Sequence, residues 1–146
     1  MHALSVRIVI LRMSNMNYLI KSLCAGLMVV AASVWTAGAD TIPDGVALVM
    51  AEEEGCIWCA AWNRDISPEY AITAEGRAAP LVRINIHKAL PEGLKLESRL
   101  RFTPTFVLVR DGQEISRLEG YAGEDFFWGL LQRMLTNAGI DYNDPR

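Results

Sequence analysis

The sequence predicts one α/β domain: a central mixed β-sheet flanked by helices. Three observations carry this expectation. Strand-like and helix-like segments alternate after residue 45, which implies a parallel β-α-β unit. Asp111-Gly112 joins two strand-like runs and is a strong hairpin signal, so the sheet gains an antiparallel edge. The last segment, from about Glu124 to Ala138, repeats apolar residues at helical spacing.

The elements follow in order. Ile42 to Gly45 is turn-like, with Pro43 and Gly45. Val46 to Ala51 is a continuous apolar run, as a strand buried on both faces requires. Glu52-Glu53-Glu54-Gly55 ends the run. From Cys59 the pattern is helical through Ile66. Ser67-Pro68-Glu69 resembles a cap with proline in a first turn, so the helix kinks or restarts there and continues to about Gly76. Leu81 to Ile86 alternates apolar and polar residues as a strand does. Residues 87–101 hold Pro91, Gly93, Leu94, Leu96 and Leu100, and are expected to form a loop and a short helix. Thr105 to Val109 and Gln113 to Glu119 are the hairpin strands. In the terminal helix Phe127, Leu130, Leu131, Met134, Leu135 and Ala138 share one face, and Gly139 sits where a C-terminal cap belongs. There is no internal repeat and no low-complexity linker.

Charge is segregated along the 146 residues. All 17 acidic residues lie at or after Asp40, whereas Arg7, Arg12 and Lys21 precede it and residues 22–39 carry no charge. A positive region, an apolar stretch from Leu23 to Trp35 and then Ala37-Gly38-Ala39 make up the pattern of a secretory signal. Residues 1–39 are therefore expected to be a signal peptide cleaved before Asp40, with Met13 or Met16 as alternative starts. The competing reading is an uncleaved membrane anchor. Its Ala, Ser and Gly content weakens it, and its length is near the lower limit for a span. Cys24 lacks the small preceding residue of a lipoprotein site and belongs to the discarded segment. Residues 40–146 would form the domain, with 11 basic and 17 acidic side chains and a net charge of −6. That charge favours solubility and gives no footprint for nucleic acid.

After cleavage two cysteines remain, in the order Cys56-Ile57-Trp58-Cys59. They could form a structural disulfide, half a metal site or a redox pair. A bridge over two residues closes too short a loop to stabilise the fold much. Zinc needs three or four ligands, and His87 is the only histidine left. The redox pair is favoured, with no metal and no cofactor beyond the Cys56–Cys59 disulfide itself. So short a ring is easily reduced and re-formed.

The whole order resembles the thioredoxin superfamily over about Val46 to Ala138. The features that carry the likeness are the apolar strand leading into Cys56-Ile57-Trp58-Cys59, the segment Thr103-Pro104-Thr105-Phe106 placed like the family's cis-proline loop, and Asp111-Gly112 followed by a strand, a glycine and the amphipathic helix. The stretches Glu53 to Cys59 and Glu119 to Trp128 are similar to those of the periplasmic thioredoxin-like proteins of bacterial sulfur-oxidation (Sox) systems. This resemblance implies a thioredoxin fold and a monomer. It also implies a periplasmic reductant for sulfur-oxidation proteins, itself reduced by a membrane dithiol electron donor.

On that resemblance Cys56 is the nucleophile and Cys59 the resolving cysteine. A helix N-terminus at Cys56 would favour its thiolate. Pro104, if cis as in the family, would lie against the cysteines and leave the Thr103 backbone free to pair with an extended substrate. Otherwise it is an ordinary proline at the start of a strand. Trp58 either shields the disulfide, touches substrate or packs at the helix start. Met50 stands where thioredoxins carry a buried aspartate that handles the proton of the second cysteine. Glu52, Glu53 and Glu54 are either a solvated loop or pKa-tuning residues. In the second case one replaces the missing acid, or together they leave the Cys56 pKa less depressed than the helix alone would. His87 is expected at the surface and not in catalysis, and Tyr121 and Phe126 to Trp128 in packing, unless an exposed Tyr121 touches a partner.

Three functions remain open on these grounds. They are a reductase acting on protein disulfides or cysteine adducts, an oxidant that installs disulfides, and a non-catalytic binding module with a redox switch. The spacing of the cysteines does not set the direction of electron flow.

Overall fold

A computed structural model describes residues 41–143. The expected signal segment, its cleavage position and Cys24 lie outside the described residues. Four strands form one mixed sheet: β1 (Val46–Glu52), β2 (Leu81–Asn85), β3 (Thr105–Arg110) and β4 (Gln113–Glu119), in the order β2-β1-β3-β4. Strand β1 pairs parallel with β2 and antiparallel with β3, and β3 pairs antiparallel with β4. The helices are α1 (Ile57–Asp65), α2 (Ser67–Tyr70), α3 (Ala74–Ala78) and α4 (Glu124–Asn137).

The apolar run of β1 is explained by its place. Ala47 to Ala51 are all fully buried, because neighbours flank the strand on both sides and chain covers both faces. Leu48 and Met50 point into a cluster with Cys59, Trp62, Tyr70, Phe106, Phe127 and Leu131. Ala47, Val49 and Ala51 point into a second cluster with Ile84, Leu94, Val107 and Val109. The aromatic heart of the first cluster is Trp62, whose ring centre lies 5.4 Å from Phe106 and 5.6 Å from Phe127. Tilted and edge-on rings at such spacings add to the burial of their area. The hairpin turn forms as expected, with Asp111 and Gly112 at φ of 51° and 75°.

Two expectations are corrected. The helical segment after Ser67 does not run on to Gly76. Helix α2 ends at Tyr70, and Thr73 starts α3 by accepting the Gly76 N–H at 3.0 Å through its hydroxyl. Gly76 lies within α3, where a Cβ would strike the carbonyl of Tyr70. The short helix expected within 87–101 is also absent among the described residues. That segment is a strap held to the hairpin instead. Lys95 N–H donates to Gly112 O at 2.9 Å, and Glu114 N–H donates to Lys95 O at 3.0 Å. Leu94, Leu96 and Leu100 close the second cluster from this extended path. Backbone pairing with β4 replaces the intrahelical bonds that a helix would have supplied.

Candidate active site

Strand β1 delivers the chain to the site. Gly55, at φ of 78°, turns it, and Cys56 becomes the N-cap of α1. The helix starts at Ile57, two residues before its apolar pattern becomes visible in the sequence. The Cys59 N–H donates to the Cys56 sulfur at 3.0 Å. The two sulfurs form a disulfide, with the Cα atoms 5.2 Å apart. Cys59 is buried in the first cluster, Cys56 is half-buried, and Ile57 and Trp58 stand in solvent. This asymmetry sets one sulfur at the surface, at the positive end of a helix, and the other inside. A thiolate at Cys56 would gain from the helix dipole and from the Cys59 N–H.

Trp58 is 56% exposed and is not packed into the helix start. Its ring borders a groove of about 340 Å³ together with Leu118, Gly120, Tyr121 and Phe126. Tyr121 itself is buried. Burial and a hydrogen bond from its hydroxyl to Asp65 at 3.2 Å push its pKa up to about 12.

Pro104 is buried and preceded by a cis peptide bond from Thr103. Its carbonyl accepts the Gly120 N–H at 2.7 Å. Among the described residues neither the N–H nor the C=O of Thr103 has a protein hydrogen-bond partner.

The three glutamates separate. Pleating sends alternate residues to opposite faces, so Glu52 follows Met50 onto the helix face and Glu53 turns the other way. Glu52 pairs with Arg83 at 2.8 Å. The same guanidinium donates to Asn63 at 2.6 Å and to Ser67 at 3.2 Å, and lies 5.4 Å from the centre of the Trp62 ring. Glu52, Glu53, Asn63, Cys56 and Cys59 border one open cavity of about 330 Å³. Glu53 accepts from the Thr103 hydroxyl at 2.5 Å and bonds the His87 ring nitrogen at 2.8 Å. These bonds, with Thr103 the larger cause, hold its carboxyl below the usual carboxylate range. Glu54 is exposed.

His87 is exposed, as expected, but its bond to Glu53 joins it to the site. Sequence reasoning missed this and also missed Arg83 and Asn63. The signal was the parallel register of β1 and β2, which ends on Glu52 opposite Asn85 and brings His87 beside the glutamates. Among the described residues no three His, Cys, Asp or Glu side chains gather as metal ligands would.

Comparison with known proteins decides the family. A family model described as a thioredoxin-like domain matches residues 43–135. The chain belongs to the thioredoxin-like family. A solved structure described as the periplasmic thioredoxin SoxS from Paracoccus pantotrophus, in its reduced form, is 49% identical to this thioredoxin-like protein. The match covers 64% of this chain and 98% of that one, with a TM-score of 0.63. No curated protein matches. Family, neighbour and cysteine geometry agree that the protein is a thiol–disulfide oxidoreductase with the Cys56–Cys59 disulfide as its redox centre.

Proposed function

We propose that this protein is an exported, monomeric reductase that uses Cys56 and Cys59 to reduce disulfides or cysteine adducts on partner proteins of sulfur oxidation. The observation that carries the reading is the asymmetry of the pair: Cys56 half-exposed with a helix N–H on its sulfur, Cys59 buried behind it. The SoxS neighbour, described as periplasmic, supports the compartment and the class of partner. The signal-like residues 1–39, with cleavage before Asp40, supply the export route. No described helix is long and apolar enough to cross a membrane.

In the reaction, the Cys56 thiolate attacks one sulfur of the partner's disulfide. The partner's other sulfur leaves as a thiolate and takes a proton. Cys59, once deprotonated, attacks the Cys56 sulfur of the mixed disulfide. The second partner sulfur leaves, and the Cys56–Cys59 bond forms. Two electrons have passed to the partner, and a membrane dithiol donor returns them. Thr103 and Pro104 present an edge for the partner chain, and Trp58 contacts it from the other side.

Met50 cannot take the Cys59 proton, since it is apolar and fully buried beside that cysteine. Glu52 stands one pleat further on the same face and borders an open cavity together with both cysteines. It is the group that receives the proton, through water. Glu53 borders the same cavity, but both of its carboxylate oxygens are taken by Thr103 and His87.

The test is trapping. A Cys59→Ser variant should hold partner proteins as mixed disulfides on Cys56, and the wild type should reduce insulin with dithiothreitol as donor. Recovery of no covalent partner, with no insulin turnover, would leave only a binding module. A measured Cys56–Cys59 potential in the oxidising range would reverse the direction of electron flow.

A further inference from the structure

We infer that Glu53 is a positioning residue for the partner chain, tying the Thr103 edge to the loop that carries Cys56. The inference rests on the oxidoreductase reading and adds to it how a protein substrate is aligned. Antiparallel pairing of β1 with β3 ends at Ala51 opposite Thr105. Continued by two residues, that register sets Glu53 opposite Thr103. Parallel pairing with β2 ends at Glu52 opposite Asn85, so the same residue also faces the chain leaving β2. Glu53 thus stands where three strand ends converge. Its two oxygens divide between them: Oε1 accepts from Thr103 Oγ1 at 2.5 Å, and Oε2 bonds His87 Nε2 at 2.8 Å.

The consequence follows from what else holds Thr103. Among the described residues its own backbone N–H and C=O have no protein partner, and the sheet ladder has already ended. Such an edge can take an added strand, whose main-chain bonds supply affinity. The neighbouring Pro104 carbonyl and Phe102 carbonyl are bonded elsewhere, to Gly120 N–H and to Thr105 Oγ1. Among the described residues the side chain of Thr103 is therefore its one hydrogen-bonded tether, and Glu53 holds the other end. Both Glu53 oxygens are occupied, so its carboxylate serves alignment in preference to proton transfer at the cysteines. Gln can still accept from Thr103, whereas Ala cannot.

The experiment compares two disulfides. Reduction of a protein disulfide (insulin) and of a small aromatic disulfide is followed for the wild type and for Glu53→Ala, Glu53→Gln, Thr103→Val and Thr103→Ser. A charge-assisted hydrogen bond of this kind corresponds to about a tenfold effect. The expected result is a KM for insulin raised about tenfold by Glu53→Ala and by Thr103→Val, a larger change than either variant shows in kcat or with the small disulfide. Glu53→Gln and Thr103→Ser should recover most of the loss, and the Glu53→Ala/Thr103→Val double variant should be no worse than either single. Unchanged KM in both singles, additive losses, or an equal fall with the small disulfide would overturn the inference. His87→Gln serves as the variant that leaves Thr103 bonded. Its KM should rise less than that of Glu53→Ala, and an equal rise would also overturn the assignment. A wild type that reduces neither disulfide would instead sink the oxidoreductase reading beneath it.

Discussion

Glu52 lies 2.8 Å from the guanidinium of Arg83, and that ion pair holds a carboxylate in the lining of the cavity shared with Cys59. A buried thiol must lose its proton before it can resolve a mixed disulfide. Glu52→Gln should therefore slow resolution at neutral pH by at least about tenfold, within the range of a lost general base. Attack by Cys56 on substrate should change much less. Rapid-mixing measurements of the two steps across pH would check this, and an unaltered resolution profile would exclude Glu52 as the acceptor.

Arg83→Met should act in the same sense but more weakly. It leaves the carboxylate in place and frees it to move. It also removes the cation over the Trp62 ring and the bonds to Asn63 and Ser67, so thermal stability should fall by about 1 kcal/mol. Calorimetry and the resolution rate, measured on one preparation, separate the two effects.

The acid limb of stability has two named contributors. Glu114 is 3% exposed at its side chain. Burial pushes its carboxyl up, but the Arg117 hydrogen bond, the Glu97 N–H and the Arg117 charge together outweigh it and leave the pKa lowered. Glu53 is lowered through Thr103 and His87. A carboxylate whose folded pKa is depressed stabilises the fold above its unfolded pKa, and that stability is lost as pH falls through the folded value. Urea midpoints should thus hold steady down to about pH 4.5 and fall below it. Glu114→Gln should flatten that limb. Arg117→Ala should cost about 3 kcal/mol at neutral pH by stranding a buried carboxylate.

Two glycines give opposite outcomes. Gly76→Ala drives a Cβ into the Tyr70 carbonyl, and backbone cannot yield as a side-chain end can. It should destabilise by about 2–3 kcal/mol. Gly129 lies in α4 with nothing near a new Cβ, so Gly129→Ala should stabilise by about 0.5–1 kcal/mol. Thermal melts of both would settle the pair. A neutral Gly76→Ala would mean that the α2–α3 junction shifts freely.

Much of the fold was legible because it is locally encoded. The apolar run at Val46, the Asp111-Gly112 turn and the periodic face from Phe127 to Leu135 each announce their element within a few residues. The strap was not legible. Leu94, Leu96 and Leu100 admit a helical reading, and the partners that hold them extended are Gly112 and Glu114, distant in sequence. The break at Tyr70 was hidden for a related reason: the cue was the cap Thr73, and the close approach of Gly76 to the Tyr70 carbonyl that goes with it leaves no mark in hydrophobic periodicity.

The sequence by itself determined the order of the elements along the chain and singled out the two cysteines as a redox pair, since a Cys-x-x-Cys after a buried strand is marked by local spacing. Only the tertiary structure decided which partners Glu52 and Glu53 hold. Three adjacent acids look alike in a sequence, but pleating turns Glu52 towards Arg83 and Glu53 towards Thr103 and His87. Their partners arrive from strands 30 to 50 residues away, and only sheet register brings them within hydrogen-bond reach.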